Sequence, residues 1–264
     1  MRYGFWSMIF LLMCCTAAGA QSLDRPTRVT ADTAGNIYVS EQPVGFTVGP
    51  VVVITPSGTV TRRIQSTGSS IVDPGYFSSI RDLAIAPNGE IYLLDAVQHR
   101  ILRMSPSGSP MGAIPLPATA KISAFLLLPN GNILLANASN GSVLTLDPAG
   151  QVLGTVPVFD LPVPADESFD IALDGSSYLL VTDPTHHRVI KFDWRGASPR
   201  WVGWLGGCTT GSQCSKAPGS TIGHTQGFCN GTTAQCGAPV AARIPGGFER
   251  PSFIAADPAG SWYV

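Results

Sequence analysis

Two kinds of turn recur along this chain at a fixed distance from each other, and that register limits the possible fold more than any other feature. The pattern is clearest in Ile80–Ser109, IRDLAIAPNGEIYLLDAVQHRILRMSPSGS. Three short apolar runs, Leu83–Ala86, Ile91–Leu94 and Ile101–Met104, are separated or closed by Pro87-Asn88-Gly89 and Pro106-Ser107-Gly108. Apolar runs of strand length cut by Pro, Asn and Gly read as an antiparallel meander, since helices need longer stretches with a different period. With the glycine of the first turn as marker, further copies align on Gly35, Gly131 and Gly260, and a fourth puts Ser177 in that place. The second turn ends at Gly108, Gly150 and Gly196, in each case 19 residues past its marker. In the first copy the distance to Gly58 is 23, which places a four-residue insertion within 42–50.

Marker-to-marker steps of 54, 42, 46 and 83 residues point to a repeat unit of about 40–45 residues with several short strands, the size of a β-propeller blade. A four-stranded blade cannot bury both faces alone, so it needs a neighbour on each side. The sequence therefore predicts an all-β propeller with four full blades and the start of a fifth. Segments Ser66–Ser79, Pro115–Ile122 and Pro157–Glu167 are expected to hold the fourth, outer strands and the crossovers. The chain stops inside the second strand of copy five, so a fragment of a longer protein is expected, closing as a six-bladed ring when complete.

The repeat resembles the NHL family in Gly35-Asn-Ile-Tyr-Val39, His99-Arg-Ile101 and His187-Arg-Val189. Copies one and three lack the His-Arg pair, and copy four lacks the marker glycine. The resemblance covers roughly Pro26 to Arg200 and Phe248 onward. It implies an NHL-type propeller and says little about activity, because such folds serve many ends.

Residues 1–20 read as a secretory signal peptide: Arg2, an apolar stretch Phe5–Cys15, then Ala18-Gly19-Ala20 before Gln21. The mature chain, 21–264, is expected to be secreted or periplasmic and not inserted in a membrane. Loss of Arg2 leaves one basic residue fewer than the 16 of the whole chain against 17 acidic ones, a net charge of −2. Such a surface does not attract nucleic acid. Asn137, Asn140 and Asn230 each begin a glycosylation sequon.

All four cysteines of the mature chain, Cys208, Cys214, Cys229 and Cys236, fall in a Gly/Ser/Thr-rich insertion at 206–238. In an exported protein this predicts a loop stapled by two disulfides. Three pairings are possible, the simplest being Cys208–Cys214 with Cys229–Cys236. A zinc site with His224 is the alternative, but the cysteine spacings are longer than zinc knuckles use.

No nucleophile elbow, zinc-protease helix or phosphate-cradling glycine loop is present. His99 and His187 share one repeat position, ten residues past the marker; they read as turn residues rather than ligands of a shared metal. Glu41, Asp95, Asn137 and Asp183 stand six past the marker; of these, Asp95, Asn137 and Asp183 read as caps of their own turns rather than as a calcium site. No cofactor and no metal site is expected. In a chain with only 12% charged residues, Arg28, Arg81, Asp82 and Asp170 fall where the innermost strands begin, at the mouth of the predicted channel. These four are the candidate binding residues. The sequence thus predicts a binding or scaffold module for a protein, peptide or carbohydrate, monomeric when complete. The alternative is a propeller enzyme of lyase or lactonase type with an axial metal.

Overall fold

The computed structural model describes residues 23–42, 49–70, 72–160, 163–164, 167–175, 177–195, 199–225, 227–230, 233–244, 246–256 and 261–264. The expected signal peptide and the fifth marker, Gly260, lie outside them, as does Gly196. Two compact units divide at Leu116/Pro117.

The first unit holds two four-stranded antiparallel meanders. One is β1 (Pro26–Ala31), β2 (Ile37–Glu41), β3 (Val51–Ile54) and β4 (Val60–Ile64). The other is β5 (Ile80–Ile85), β6 (Ile91–Asp95), β7 (Arg100–Met104) and β8 (Pro110–Pro115). The second unit begins with β9 (Ile122–Leu127), β10 (Ile133–Asn137), β11 (Ser142–Leu146) and β12 (Val152–Pro157). It continues with β13 (Ile171–Asp174), β14 (Tyr178–Asp183), β15 (Arg188–Asp193) and the longer β16 (Arg200–Cys208). A two-stranded sheet follows near the end of the chain, called β20 (Ala255–Ala256) and β21 (Trp262–Tyr263) after the insertion's three strands are counted.

Each repeated glycine has a backbone reason. Gly35, Gly89 and Gly131 adopt φ of 82°, 82° and 85°, and Gly58, Gly108 and Gly150 adopt 85°, 89° and 89°. In every case the glycine N–H donates to the carbonyl three residues back, as from Gly89 to Ala86 at 2.8 Å. Both turns are therefore built alike: a tight turn closed by a left-handed glycine. The two turns of a blade also touch. A Cβ on Gly35, Gly89 or Gly131 would lie 3.3, 3.2 or 3.4 Å from Cγ of Pro56, Pro106 or Pro148. Copy four solves the first turn differently, with Gly175 at φ 66° two residues ahead of Ser177.

The outer strands depart from the expected placement. β4, β8 and β12 follow the second turn at once, and the segments after them carry no strand among the described residues. β8 and β12 are mostly exposed and β4 alternates exposed with partly buried residues, so these edge strands need no apolar run, and periodicity gives little to read. Leu116 N–H donates to His99 C=O and Val158 N–H to Gly141 C=O. By the alternation of an antiparallel ladder, Pro115 and Pro157 then sit where an amide would face outward. A missing N–H there takes nothing from the sheet and blunts its open edge.

Strand periodicity divides the core. On the first meander, Tyr38, Val51, Val53 and Ile64 join Leu83, Ile91, Leu93, Leu102 and Met104 of the second, together with Phe77 from the connection between them. Ile37, Val39, Val52 and Ile54 form a separate cluster, as expected when alternate residues point to opposite faces. In the second unit, Ala124, Leu134, Ala136 and Val143 pack on Phe169, Ile171, Leu179, Val181 and Ile190. Middle strands bury both faces, so each fully buried Leu or Ile contributes about 1.5–3 kcal/mol.

The cysteine-rich insertion is more than a stapled loop. β16 runs past its partner β15, and its last residues, Gly207 and Cys208, pair with β18 (Gly223–Thr225) and β19 (Pro239–Val240). β17 (Cys214–Ser215) adds to β18, and a single helical turn, α1 (Thr233–Cys236), carries the last cysteine. Glycines permit the seating: a Cβ on Gly207 would meet Val240 O and Ala242 Cβ at 2.5 Å, and one on Gly203 would meet Cys229 O at 2.7 Å.

Candidate functional site

In each blade the first strand begins and the second strand ends on one rim, called here the leading rim. Three of the four sequence candidates belong to the first unit's leading rim. Arg28 Nε stands 3.6 Å from Asp82 Oδ1, both side chains being mostly buried. Asp82 Oδ1 also accepts the N–H of Leu83 at 2.9 Å, and Arg81 is exposed beside it. Asp170 belongs to the second unit and repeats Asp82's local role, accepting from Ile171 N–H at 2.8 Å. Its second oxygen accepts Ile254 N–H at 3.1 Å. Asp82 and Asp170 are thus strand caps as well as rim charges.

Asp95, Asn137 and Asp183, six residues past the marker, cap turns as their residue types predict, whereas Glu41 in the first blade accepts Asp24 N–H at 2.9 Å and pairs with Arg63 at 2.9 Å. Asp95 accepts from Gln98 N–H at 3.3 Å, from Ser78 N–H at 2.9 Å and from the Ser78 hydroxyl at 3.1 Å. Asn137 Oδ1 accepts Ser139 N–H at 3.1 Å, and Asp183 accepts His186 N–H at 3.1 Å. Asn137 is therefore buried and engaged, whereas Asn140 and Asn230 are exposed.

His99 and His187 adopt φ of 49° and 55°, and Gly141 holds the same repeat position at 63°. The backbone needs a left-handed residue at that corner, and His is among the side chains that tolerate it better than most. His187 Nδ1 accepts Arg250 N–H at 3.0 Å, and the Arg250 guanidinium bonds Glu167 at 2.9 Å. Those two histidines serve turns in different units. Among the described residues, no group of three or more His, Cys, Asp or Glu is gathered to hold a metal ion.

The densest polar network lies on blade four and includes residues the sequence reading passed over. His186 Nδ1 is 3.0 and 2.9 Å from the two oxygens of Asp183. Arg188 Nε donates to Asp183 Oδ2 at 2.8 Å, with both side chains essentially buried. The other end of that guanidinium bonds Asp160, which is half exposed. A buried carboxylate sharing an arginine and an imidazole is well satisfied, where an unpaired one would be costly. The one signal in the sequence was the doubled histidine at 186–187, nine and ten residues past the marker position.

The cysteines pair as neighbours, Cys208–Cys214 and Cys229–Cys236, with Cα–Cα distances of 5.9 and 5.7 Å. That is the simplest of the three pairings, and it leaves no thiolate for zinc. Cys229 exchanges backbone hydrogen bonds with Trp204 at 2.9 and 2.8 Å. Phe228, beside it, packs near Lys191, whose ammonium lies 5.1 Å from that ring and 4.3 Å from the Tyr178 ring. Lys191 is anchored by Asp174 at 2.5 Å. The insertion thereby grips the far face of blade four through cation–π contacts.

No family model matches this chain, and no curated protein does. Solved structures do match. A Bacteroides fragilis protein assigned provisionally to the exported class aligns with TM-score 0.54 and 12% identity, over 71% of this chain and 52% of that one. Virginiamycin B lyase from Staphylococcus aureus aligns with TM-score 0.49 and 15% identity, over 88% and 74%. The calcium-binding protein regucalcin of Agrobacterium tumefaciens aligns with TM-score 0.44 and 18% identity, over 60% and 52%. The chain spans 52–60% of the length of the first four such structures. Repeated four-stranded meanders and this likeness together make the fold a β-propeller.

Proposed function

We propose that this chain is part of an exported, NHL-type β-propeller that binds a protein, peptide or carbohydrate ligand at its leading rim. One observation carries the reading. In a chain poor in charge, the leading rim of blade four concentrates Asp160, Asp183, His186 and Arg188, held by mutual bonds rather than left to solvent, with Arg250 seated on the neighbouring His187. Preorganised polar groups on a rigid scaffold are what a recognition surface requires. Two disulfides fit an oxidising compartment, in keeping with the leader-like start of the sequence. Gly35-Asn-Ile-Tyr-Val39 and the two His-Arg corners support the NHL assignment through the turns they build.

The test is a screen of the refolded, disulfide-intact chain against a glycan array and an immobilised peptide library. The expected result is a saturable hit that Arg250→Ala weakens while the melting temperature stays within about 2 °C, the Arg250 side chain being mostly exposed. A hit that survives both Arg250→Ala and Asp160→Asn would sink the reading, as would the absence of any hit.

A further inference from the structure

We propose that His187 is a proton-operated latch for segment 246–252, which leads from the insertion into β20, closed while its imidazole is neutral and released when it is protonated. The device goes beyond the reading of the leading rim as a recognition surface and does not depend on it.

The direction of one hydrogen bond carries the inference. A backbone N–H can only donate, so the 3.0 Å contact from Arg250 N–H makes His187 Nδ1 the acceptor. The proton of the neutral ring is then on Nε2. A second proton can go only to Nδ1, where it would set one N–H against another and take the acceptor from Arg250. Imidazoles gain that proton between about pH 8 and 5. The His187 ring is half-buried rather than sealed, so solvent can deliver it.

Blade two shows that the corner itself does not require this bond. His99 holds the same repeat position at φ 49°, against 55° for His187, and among the described residues its ring accepts nothing. Both histidines build a left-handed turn; His187 alone is tied to a residue 63 positions later.

The latched segment lies between two anchors. On one side Ala242 N–H donates to Phe248 C=O at 2.8 Å. On the other, Ile254 N–H donates to Asp170 at 3.1 Å, and the Ile254 side chain packs with Ala172, Leu180 and Val189. Between them Arg250 adopts φ of 51°, which costs energy for a residue with a Cβ. The bond to His187 opposes that strain, so losing it favours opening of this stretch alone, with the blades still folded.

Neighbouring charges do not reverse the sign. Asp183, His186 and Arg188, in the same corner, are bonded to one another, and Glu167 holds the Arg250 guanidinium at 2.9 Å. From β16 the corner meets only Gly206, which is uncharged. Glu249 is near enough to feel a charge on His187, and it would attract the imidazolium. That carboxylate is 42% exposed and already paired with Arg243, so the attraction is screened. The lost acceptor is the larger effect.

The experiment follows amide hydrogen exchange by NMR on the full, disulfide-intact chain, corrected for intrinsic rates, from about pH 7.5 to about pH 5. Protection of the Arg250 amide should fall about five- to ten-fold on acidification, the worth of one hydrogen bond, while β10 amides keep theirs. His187→Asn, a residue that tolerates the left-handed corner and takes up no proton, should abolish the response. Glu249→Gln should leave it in place. Long-range proton–nitrogen NMR at neutral pH should show an unprotonated Nδ1 on His187, a measurement that stands even if His187→Asn fails to fold. A protonated Nδ1 there overturns the proposal, as does Arg250 protection that ignores pH. A response that persists in His187→Asn, disappears in Glu249→Gln or is shared equally by β10 also overturns it, since acidic side chains or general acid loosening would then be the cause.

Discussion

Asp183 and Arg188 form a buried ion pair at 2.8 Å, and the same two repeat positions in blade three hold Asn137 and Ser142. Blade two carries the charged version, Asp95 and Arg100, with Arg100 reaching the Tyr76 carbonyl at 2.5 Å. In blades two, three and four the two charges come or go together, while in blade one the buried Glu41 takes Arg63 from another strand instead, at 2.9 Å. That is what desolvation demands, because a buried charge without its partner is costly while a neutral pair is not.

Removing one partner alone should therefore be severe. Asp183→Asn should cost about 3 kcal/mol, the low end for breaking a buried pair, because Arg188 keeps only the half-exposed Asp160 as its carboxylate. Installing blade three's pair, Asp183→Asn with Arg188→Ser, should recover part of that loss and give a coupling of at least about 1 kcal/mol. Urea unfolding of the two single variants and the double variant measures it, and simple additivity would contradict the account.

At the left-handed corners, His99→Gly should stabilise by roughly 0.5–1 kcal/mol, the relief of strain less the extra chain entropy of glycine. His99→Val should destabilise by about 1–2 kcal/mol, because a β-branched side chain tolerates that φ worst. Equal melting temperatures for the two variants would show that the observed φ of 49° carries no cost.

Gly207 seats the insertion on β16. Gly207→Ala should cost about 1–3 kcal/mol by overpacking against Val240 and Ala242. Limited proteolysis should then cut within 209–244 while blades one to three stay protected. Reduction of either disulfide should loosen the same segment, since a loop of this length restrains the unfolded chain by about 2–2.5 kcal/mol. Uniform loosening of all blades would argue against the insertion as a separately seated element.

Acid should weaken the fold. Hydrogen bonds from Arg195 hold the Asp193 carboxyl well below the usual range, and Arg103 does the same for Glu90. For Asp32, burial pushes upward but is outweighed by bonds from Asn36, Ala34 and Tyr38. A carboxyl lowered in the folded state contributes stability above its unfolded value and loses it as pH falls below about 4. The urea midpoint should be level between about pH 7 and 5 and then drop toward pH 3. Added salt should reduce the share from Asp193 and Arg195, which is largely exposed and so screened. A midpoint rising on acidification would refute the assignment.

Much of the fold was legible because turn chemistry is local. A left-handed glycine after Pro-Asn or Pro-Ser declares itself without any knowledge of neighbours, and its register gave the meanders. The outer strands were misplaced because exposed edge strands such as Pro110–Pro115 need no apolar period. Arg28, Arg81 and Asp82 lie near the starts of β1 and β5, and Asp170 stands just before β13. Their partners could not be read, since Arg28 meets Asp82 across two meanders and Asp170 meets Ile254 from 84 residues away.

The sequence by itself determined the repeat, its two turn types, the all-β class and the cysteine-rich interruption, all of which are written in residues close along the chain. Only the tertiary structure decided which cysteines pair, that β16 extends to carry the insertion, and that His186 is oriented by Asp183 beside a buried Arg188. Those outcomes depend on which side chains share a dehydrated space. Proximity of that kind comes from packing, and packing is set by the whole molecule.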